Sequence, residues 1–339
     1  MARTVLITGI SGFIAKYCAL DLLQAGYRVR GTVRDLARAA TVRTTLAAYG
    51  DADSLDFVEA DLLADEGWDA ALQGVDCVLH LASPFPLAQP DDPDELLRPA
   101  VEGTRRVVGA AVRAGVPRLV QTSSVAAIFA GHPRDRETPY TEADWTIVDG
   151  PGVTVYERSK TLAEREGRAI AATAGPSFHY STVNPGFVLG PALDADVGAS
   201  ADLVLMMLKG RYPGVPRMSF PVVDVRDVAK AHRLALETAR PSGGRYLVAS
   251  EPAWMIDIAR AVKAGLGEEA RKVPTRELPD FVIRMVAVFD GAARTSVPKL
   301  GLHSRFDNSA TRAALGMEFI PLSESAPAMA RSLIALGLV

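Results

Sequence analysis

The chain has 339 residues, a formal net charge of −3 and a hydrophobic content of 48%. Such a length builds a large core, in about two domains or in one α/β domain with a smaller companion. The near-balanced charge gives no reason to expect nucleic acid or an acidic membrane as partner. The two cysteines, Cys18 and Cys77, lie in apolar segments with no histidine at metal-ligand spacing; they read as buried free thiols of a reducing compartment, and no metal site is expected.

A first strand begins at Arg3-Thr4-Val5, leaving no room for a secretory leader. No apolar run approaches the ~20 residues of a membrane helix: residues 203–208 are too few, and residues 281–289 are interrupted by Arg284. A cytoplasmic protein is expected.

The first half alternates between two periods. "TVLITG" reads as a short strand ending at glycine, followed by helical spacing over 12–25 up to Gly26. Strands are predicted at 27–34, 55–62, 76–83 (stopped by Pro84), 118–125 and 179–186, with helices at 94–114 and 153–174 closed by Gly115 and Gly175. Strands separated by helices mean βαβ units and a doubly wound, Rossmann-type parallel sheet, with ligands at the carboxyl ends of the strands. Beyond 186 the pattern loosens. A strand and helix are predicted over 221–237, with Asp224 or Asp227 as N-cap, another strand at 244–250, and a turn and capped helix at 306–316. The predicted division is a dinucleotide-binding domain of 1–186, 219–250 and 305–320, and a smaller, partly helical substrate lobe of 187–218 and 251–304.

The turn Thr8-Gly9-Ile10-Ser11-Gly12-Phe13-Ile14-Ala15 joins the first strand to the first helix. Its spacing, Gly-x-x-Gly-x-x-Ala, differs from Gly-x-Gly-x-x-Gly, yet the physics carries over. A helix N-terminus offers unpaired N–H groups and the positive end of a dipole to a diphosphate. Gly9 permits the tight turn, Gly12 the close approach of the ligand, and Ala15 the packing of helix on strand. Gly9, Ser11, Gly12, Phe13 and Ile14 are therefore candidate cofactor contacts. The second strand ends in Val33-Arg34, where an NAD-specific site usually has a carboxylate. A guanidinium binds a 2′-phosphate bidentately, so Arg34, followed by Arg38 and Arg43, favours NADPH over NADH. Asp61 and Leu62 close the third strand; residue type alone leaves Asp61 as an acceptor for the adenine amine or as a helix cap.

Tyr156 and Lys160 in "VYERSK" share one helix face. A nearby ammonium is expected to lower the phenol pKa, making the tyrosine an acid–base group for a carbonyl oxygen. Alone, such a pair is commonplace on solvated helices. Here "QTSSVAA" puts Ser124 at the end of the fifth strand and "NPGFVLGP" ends the sixth, both at the same rim as the glycine turn.

The chain resembles the extended short-chain dehydrogenase/reductases, and more narrowly the dihydroflavonol reductase-like carbonyl reductases, through "TGISGFIA", "GTVRD", "ADL", "HLASPF", "TSSVAAI", "YERSK", "NPGFVLGP", "VDVRDVAKAH" and "FDNSATRAALG". That resemblance implies Ser124, Tyr156 and Lys160 as the catalytic set, with Lys160 also holding the nicotinamide ribose. It implies Arg34 and Arg38 at the 2′-phosphate, and Ala82, Ser83, Pro185 and Val188 beside the ribose and nicotinamide. Two departures matter. The Asn-Trp-Tyr-Cys-Tyr motif of plant cinnamoyl-CoA reductases is absent around Tyr156, which argues against a CoA thioester. Thr122-Ser123-Ser124 replaces the Thr-Asp-Glu of nucleotide-sugar dehydratases, which argues against dehydration.

Phe85, Val125, Phe187, Met206 and Tyr212 are candidate substrate-pocket residues, although apolar packing accounts for those of the second lobe equally well. His80 reads as a core or rim histidine, and Asp144-Trp145 as a pocket border or a loop anchor. The expectation is an NADPH-dependent reductase of a small apolar aldehyde or ketone, monomeric or homodimeric. The alternatives are a hydroxysteroid or sugar-nucleotide dehydrogenase or epimerase, and an NADP-sensing regulator without chemistry.

Overall fold

The computed structural model describes residues 2–83, 92–211, 213–238, 243–250, 252–289 and 291–339. Phe85 and Tyr212 lie outside them. The strands, in chain order, are β1 (Thr4–Thr8), β2 (Arg28–Val33), β3 (Leu55–Glu59), β4 (Cys77–His80), β5 (Arg118–Thr122), β6 (His179–Pro185), β7 (Phe187–Leu189), β8 (Ser219–Asp224), β9 (Gly244–Val248) and β10 (Pro252–Trp254). The helices are α1 (Phe13–Gln24), α2 (Ala39–Ala47), α3 (Trp68–Leu72), α4 (Asp94–Arg113), α5 (Val155–Thr173), α6 (Ala199–Leu208), α7 (Val225–Glu237), α8 (Met255–Leu266), α9 (Asp280–Val286), α10 (Gly291–Ser296), α11 (Ser309–Leu315) and α12 (Leu322–Ala335).

Val5, Leu6 and Ile7 of β1 are fully buried, which requires cover on both faces of the sheet. Val5 and Ile7 join Leu79, Val120 and Val183 in a cluster completed by α1 and α7. Leu6 joins Val78, Leu119 and Tyr180 in a second cluster with α3 and α4 on the opposite face. Each fully buried Val or Leu contributes about 1.5–3 kcal/mol, so these runs fix the sheet centre.

Seven strands form one sheet in the order β3-β2-β1-β4-β5-β6-β9, every neighbouring pair parallel. The chain winds outward from β1 to β3 and returns to the other side of β1 as β4, leaving a crevice at the carboxyl ends of β1 and β4. Two threonines hold that crevice in shape. Thr8 Oγ1 accepts from the Ala82 amide at 2.9 Å, and Thr32 Oγ1 accepts from the Gly9 amide at 3.0 Å. Helix α5, which carries Tyr156 and Lys160, starts at a capping box: Thr154 N–H donates to Glu157 Oε2 at 2.7 Å, and Glu157 N–H to Thr154 Oγ1 at 3.3 Å. It lies close against the sheet because residue 167 is glycine; a Cβ there would come within 2.4 Å of Tyr180 Oη.

The predicted division needs correction at its second half. Residues 219–224 were expected in the dinucleotide domain, but β8 pairs with β7 and, antiparallel, with β10 in a separate three-stranded sheet. This sheet shares an apolar cluster with α6, α8 and α12, including Leu189, Val204, Val222, Ile258 and Leu333. Asp224 is the N-cap of α7, accepting from the Arg226 amide at 2.9 Å, whereas Asp227 accepts from the Ile320 amide at 2.7 Å. On α1, buried Lys16 pairs with Asp194, and Tyr17 Oη donates to the Pro191 carbonyl at 2.9 Å, tying this helix to the segment after β7.

Candidate active site

The carboxyl ends of β1, β4, β5 and β6 open into one cavity of about 430 Å³. Its near wall is the glycine turn with the start of α1: Gly9, Gly12, Phe13 and Ile14, beside Leu81 and Ser83. Its floor holds Ser124, Tyr156, Lys160 and Pro185, and its far wall is apolar and aromatic. Predicted residues from five stretches of the chain thus meet in one place.

At the near end, Gly9 has φ +64°, and a Cβ on it would lie 3.0 Å from the Ala82 Cβ. Gly12 is exposed and caps α1 with no side-chain hydrogen bond, so the first-turn amides are left for a ligand. Above Gly12, a Cβ would meet only the Gly9 carbonyl at 3.4 Å. Ser11, half-buried, lies in the same turn. This cradle has the shape and polarity that a dinucleotide diphosphate requires.

Arg34 follows β2, and Arg38 ends a short 3₁₀ turn; both are exposed, and among the described residues neither guanidinium makes a hydrogen bond or ion pair. Asp35 does not neutralise them by pairing: its carboxylate caps the turn by accepting from the Ala37 amide at 2.8 Å. Arg43 is different. It donates to the Ala52 and Leu55 carbonyls at 3.0 and 2.6 Å and covers the Phe57 ring, so it braces the edge of the sheet. Asp61 lies past the end of β3, two residues beyond Glu59, and accepts from the Leu63 amide at 2.9 Å as a turn cap. Leu62 packs on α4, where a Cβ at Gly103 would stand 2.9 Å from it.

At the centre, β5 ends at Thr122, and Ser124 opens a 3₁₀ turn over Val125–Ala127, its Oγ accepting from the Ala126 amide at 3.1 Å. Ser124 is also hydrogen-bonded to the Tyr156 phenol. Lys160, one turn further along α5, places its Nζ 5.8 Å from the centre of the Tyr156 ring. The net shift of the phenol is upward, against the lowering expected from Lys160, because burial is the larger effect. Burial pushes Tyr156 up to about 12; the Ser124 hydrogen bond opposes this and the Glu157 charge adds to it. Burial also brings Lys160 down to about 8. His80 is a core histidine: buried, bonded through Nδ1 to Thr8 Oγ1 at 2.9 Å, and held neutral at about 3 by burial and the Lys160 charge.

At the far end, the substrate-pocket candidates Val125 and Phe187 line the cavity, with Val188, Phe129, Met218, Phe220, Leu302 and Phe306. The Phe187 and Phe220 rings pack against each other at 4.7 Å between centroids, tilted by 31°. Met206 does not belong here: it is 41% exposed on α6, while its neighbour Met207 turns into the core. One ion pair crosses this end, Lys299 Nζ to Glu157 Oε1 at 2.9 Å. Asp144-Trp145 is a loop anchor: Arg245 donates to the Asp144 carbonyl at 2.5 Å and its guanidinium lies 3.9 Å from the Trp145 ring centre.

The sequence reading missed two groups of residues. Phe129, Met218, Phe220, Leu302 and Phe306 carry no local signal, because only the fold brings their segments together. Glu164 had one: it stands four residues beyond Lys160 and eight beyond Tyr156, hence on their helix face. No group of His, Cys, Asp or Glu able to hold a metal ion occurs among the described residues, and no helix among them is long and apolar enough to cross a membrane.

The model of the NAD-dependent epimerase/dehydratase family matches residues 5–249. Ketoreductase azaE of Aspergillus niger is 34% identical over 340 residues, spanning 95% of this chain and 95% of that protein. Cinnamoyl-CoA reductase 1 of Arabidopsis thaliana is 38% identical over 251 residues, spanning 73% of this chain and 70% of that protein. Among solved structures, Gre2 from Candida albicans in complex with NADPH superposes with a TM-score of 0.82 at 26% identity, covering 98% of this chain and 99% of that one.

Proposed function

The chain belongs to the NAD-dependent epimerase/dehydratase family and is an NAD(P)-dependent reductase; we propose that it uses NADPH to reduce the carbonyl group of small, largely apolar aldehydes or ketones. The observation that carries this reading is the single cavity: a dinucleotide cradle at one end, Ser124, Tyr156 and Lys160 at its centre, and a phenyl-rich wall at the other.

The dihydronicotinamide supplies a hydride to the carbonyl carbon. The negative charge that grows on oxygen must then be met by donors already in place. Ser124 and Tyr156 are joined by a hydrogen bond, so one carbonyl oxygen can lie within reach of both hydroxyls. Tyr156, its pKa far above neutrality, is protonated at working pH and is the group that delivers the proton. The Lys160 ammonium would stabilise the phenolate left behind and hold the ribose hydroxyls. Arg34 and Arg38 are the residues that would take the 2′-phosphate. The apolar far wall favours a substrate whose bulk is hydrocarbon or aryl. A relative named as a ketoreductase, similar over 95% of this chain, supports the same reading.

The test is consumption of NADPH, beside NADH, with aromatic aldehydes, aryl ketones, β-keto esters and a dihydroflavonol. Turnover with NADPH, at a several-fold lower KM than with NADH, is the expected result. Tight NADPH binding with no turnover of any carbonyl would favour the sensing role instead.

A further inference from the structure

We infer that Glu164 is a positioning residue for the reacting pair: its buried carboxylate ties the helix that carries Tyr156 to both sides of the turn that carries Ser124. The inference rests on the reading of Ser124 and Tyr156 given above.

Glu164 is fully buried on α5. Its Oε2 accepts from Ser123 Oγ at 2.6 Å and from Asn184 Nδ2 at 2.9 Å. The same Asn184 amide donates to the Ser124 carbonyl at 3.1 Å. Its Oε1 accepts from Arg245 Nε at 2.6 Å, Arg168 Nε at 3.1 Å and Thr182 Oγ1 at 3.1 Å. Arg245 continues to the Glu142 carbonyl at 2.7 Å and reaches the Ala127 carbonyl at 3.4 Å. Through Asn184 the carboxylate holds the first residue of the 124–127 turn, and through Arg245 the last. Burial alone would push the Glu164 carboxyl up; Arg245, Arg168 and the Ser123 hydrogen bond outweigh that and hold it below the usual carboxylate range. It is therefore a fixed anion that every spoke requires.

An ion pair that only stabilised the fold would be expected to satisfy its charges without gripping the catalytic turn at two points. Displacements of about an ångström in a reacting pair cost on the order of 100-fold in rate. A positioning role predicts dependence on Ser124; a purely structural role does not. Single-turnover rates, still measurable in slow variants, are compared for wild type, Glu164→Gln, Ser124→Ala and the double variant, with NADPH affinity and the isotope effect from deuterated NADPH. Glu164→Gln should slow hydride transfer about 10- to 100-fold, raise the isotope effect toward its limiting value and leave NADPH affinity within about twofold. In the Ser124→Ala background the further loss should shrink to about twofold, because coupled residues are non-additive. Equal losses in both backgrounds, or a lower Tm at wild-type rate, would overturn the inference.

If Glu164→Gln does not fold, Ser123→Ala leaves the Arg245 ion pair in place and enters the same cycle. A loss of about threefold that vanishes beside Ser124→Ala supports the role, whereas no loss or an additive one overturns it. Tyr156→Phe separates the two readings. If that variant keeps full turnover, the assigned reaction fails; if it is inert while Glu164 and Ser124 act additively, only the positioning role fails.

Discussion

At the end of the cavity nearest β1 the wall is largely main chain: the turn from Gly9 to Ile14, its left-handed Gly9, and the uncapped amides of α1. At the other end the wall is side chain: Phe129, Phe187, Met218, Phe220, Leu302 and Phe306, from segments far apart in the chain. The two ends tolerate change differently. A Cβ on Gly9 meets Ala82 at 3.0 Å and must adopt a positive φ, a strained combination for any L side chain. Exchanging a phenyl group at the far end removes packing and leaves the backbone as it was. On the proposed reading, the cofactor end is the fixed part of the site, and the far end would set substrate preference.

Between them lie Ser124, Tyr156 and Lys160, where the largest effect is expected. Tyr156→Phe should lower kcat by roughly 10²- to 10⁴-fold with NADPH affinity unchanged, as read by steady-state kinetics and fluorescence titration. At the near end, Arg34→Ala removes a charge-assisted contact worth about 1.5–3 kcal/mol. Its KM for NADPH should rise roughly 10- to 100-fold, while that for NADH stays within about twofold. An equal change for both cofactors would place the 2′-phosphate elsewhere.

At the far end, Phe187→Ala loses its ring contact with Phe220 and part of the cavity wall. kcat/KM for an aryl ketone should fall about tenfold, more than for a short aliphatic aldehyde, with NADPH affinity unaffected. An equal fall for both substrates would mean that this wall does not select. The smallest effect is on pH. Lys160, lowered to about 8 by burial, is charged below that value and neutral above it. Carbonyl reduction should be flat near pH 6–7 and decline as pH rises past about 8. In a Lys160→Met variant, already slow, that limb should be absent.

The same contrast explains what could be read from the sequence. The glycine turn, the Tyr–Lys pair and Ser124 are visible because each is a short local pattern at the end of an element whose period is plain. The parallel, doubly wound sheet follows from the alternation of strands and helices in the first half. Residues 221–224 were misplaced because a short apolar strand fits either sheet, and only its pairing with β7 and β10 decides. Met206 lies on the exposed side of α6 and Met207 in the core beneath, so neither lines the cavity, which helix periodicity alone does not reveal. The phenol pKa was misjudged because residue types reveal a neighbouring charge but not the depth of burial that here outweighs it. The aromatic wall left no local trace, being made by convergence of separate segments.

The most direct test of the account follows the hydrogen itself. The enzyme is given NADPH deuterated at its transferable position together with an aryl aldehyde or ketone, and the alcohol product is weighed by mass spectrometry. The account predicts one deuterium on the carbinol carbon, and essentially no labelled alcohol from Tyr156→Phe although it still binds the cofactor. Unlabelled alcohol from the wild type, or labelled alcohol formed as fast by Tyr156→Phe, would contradict it.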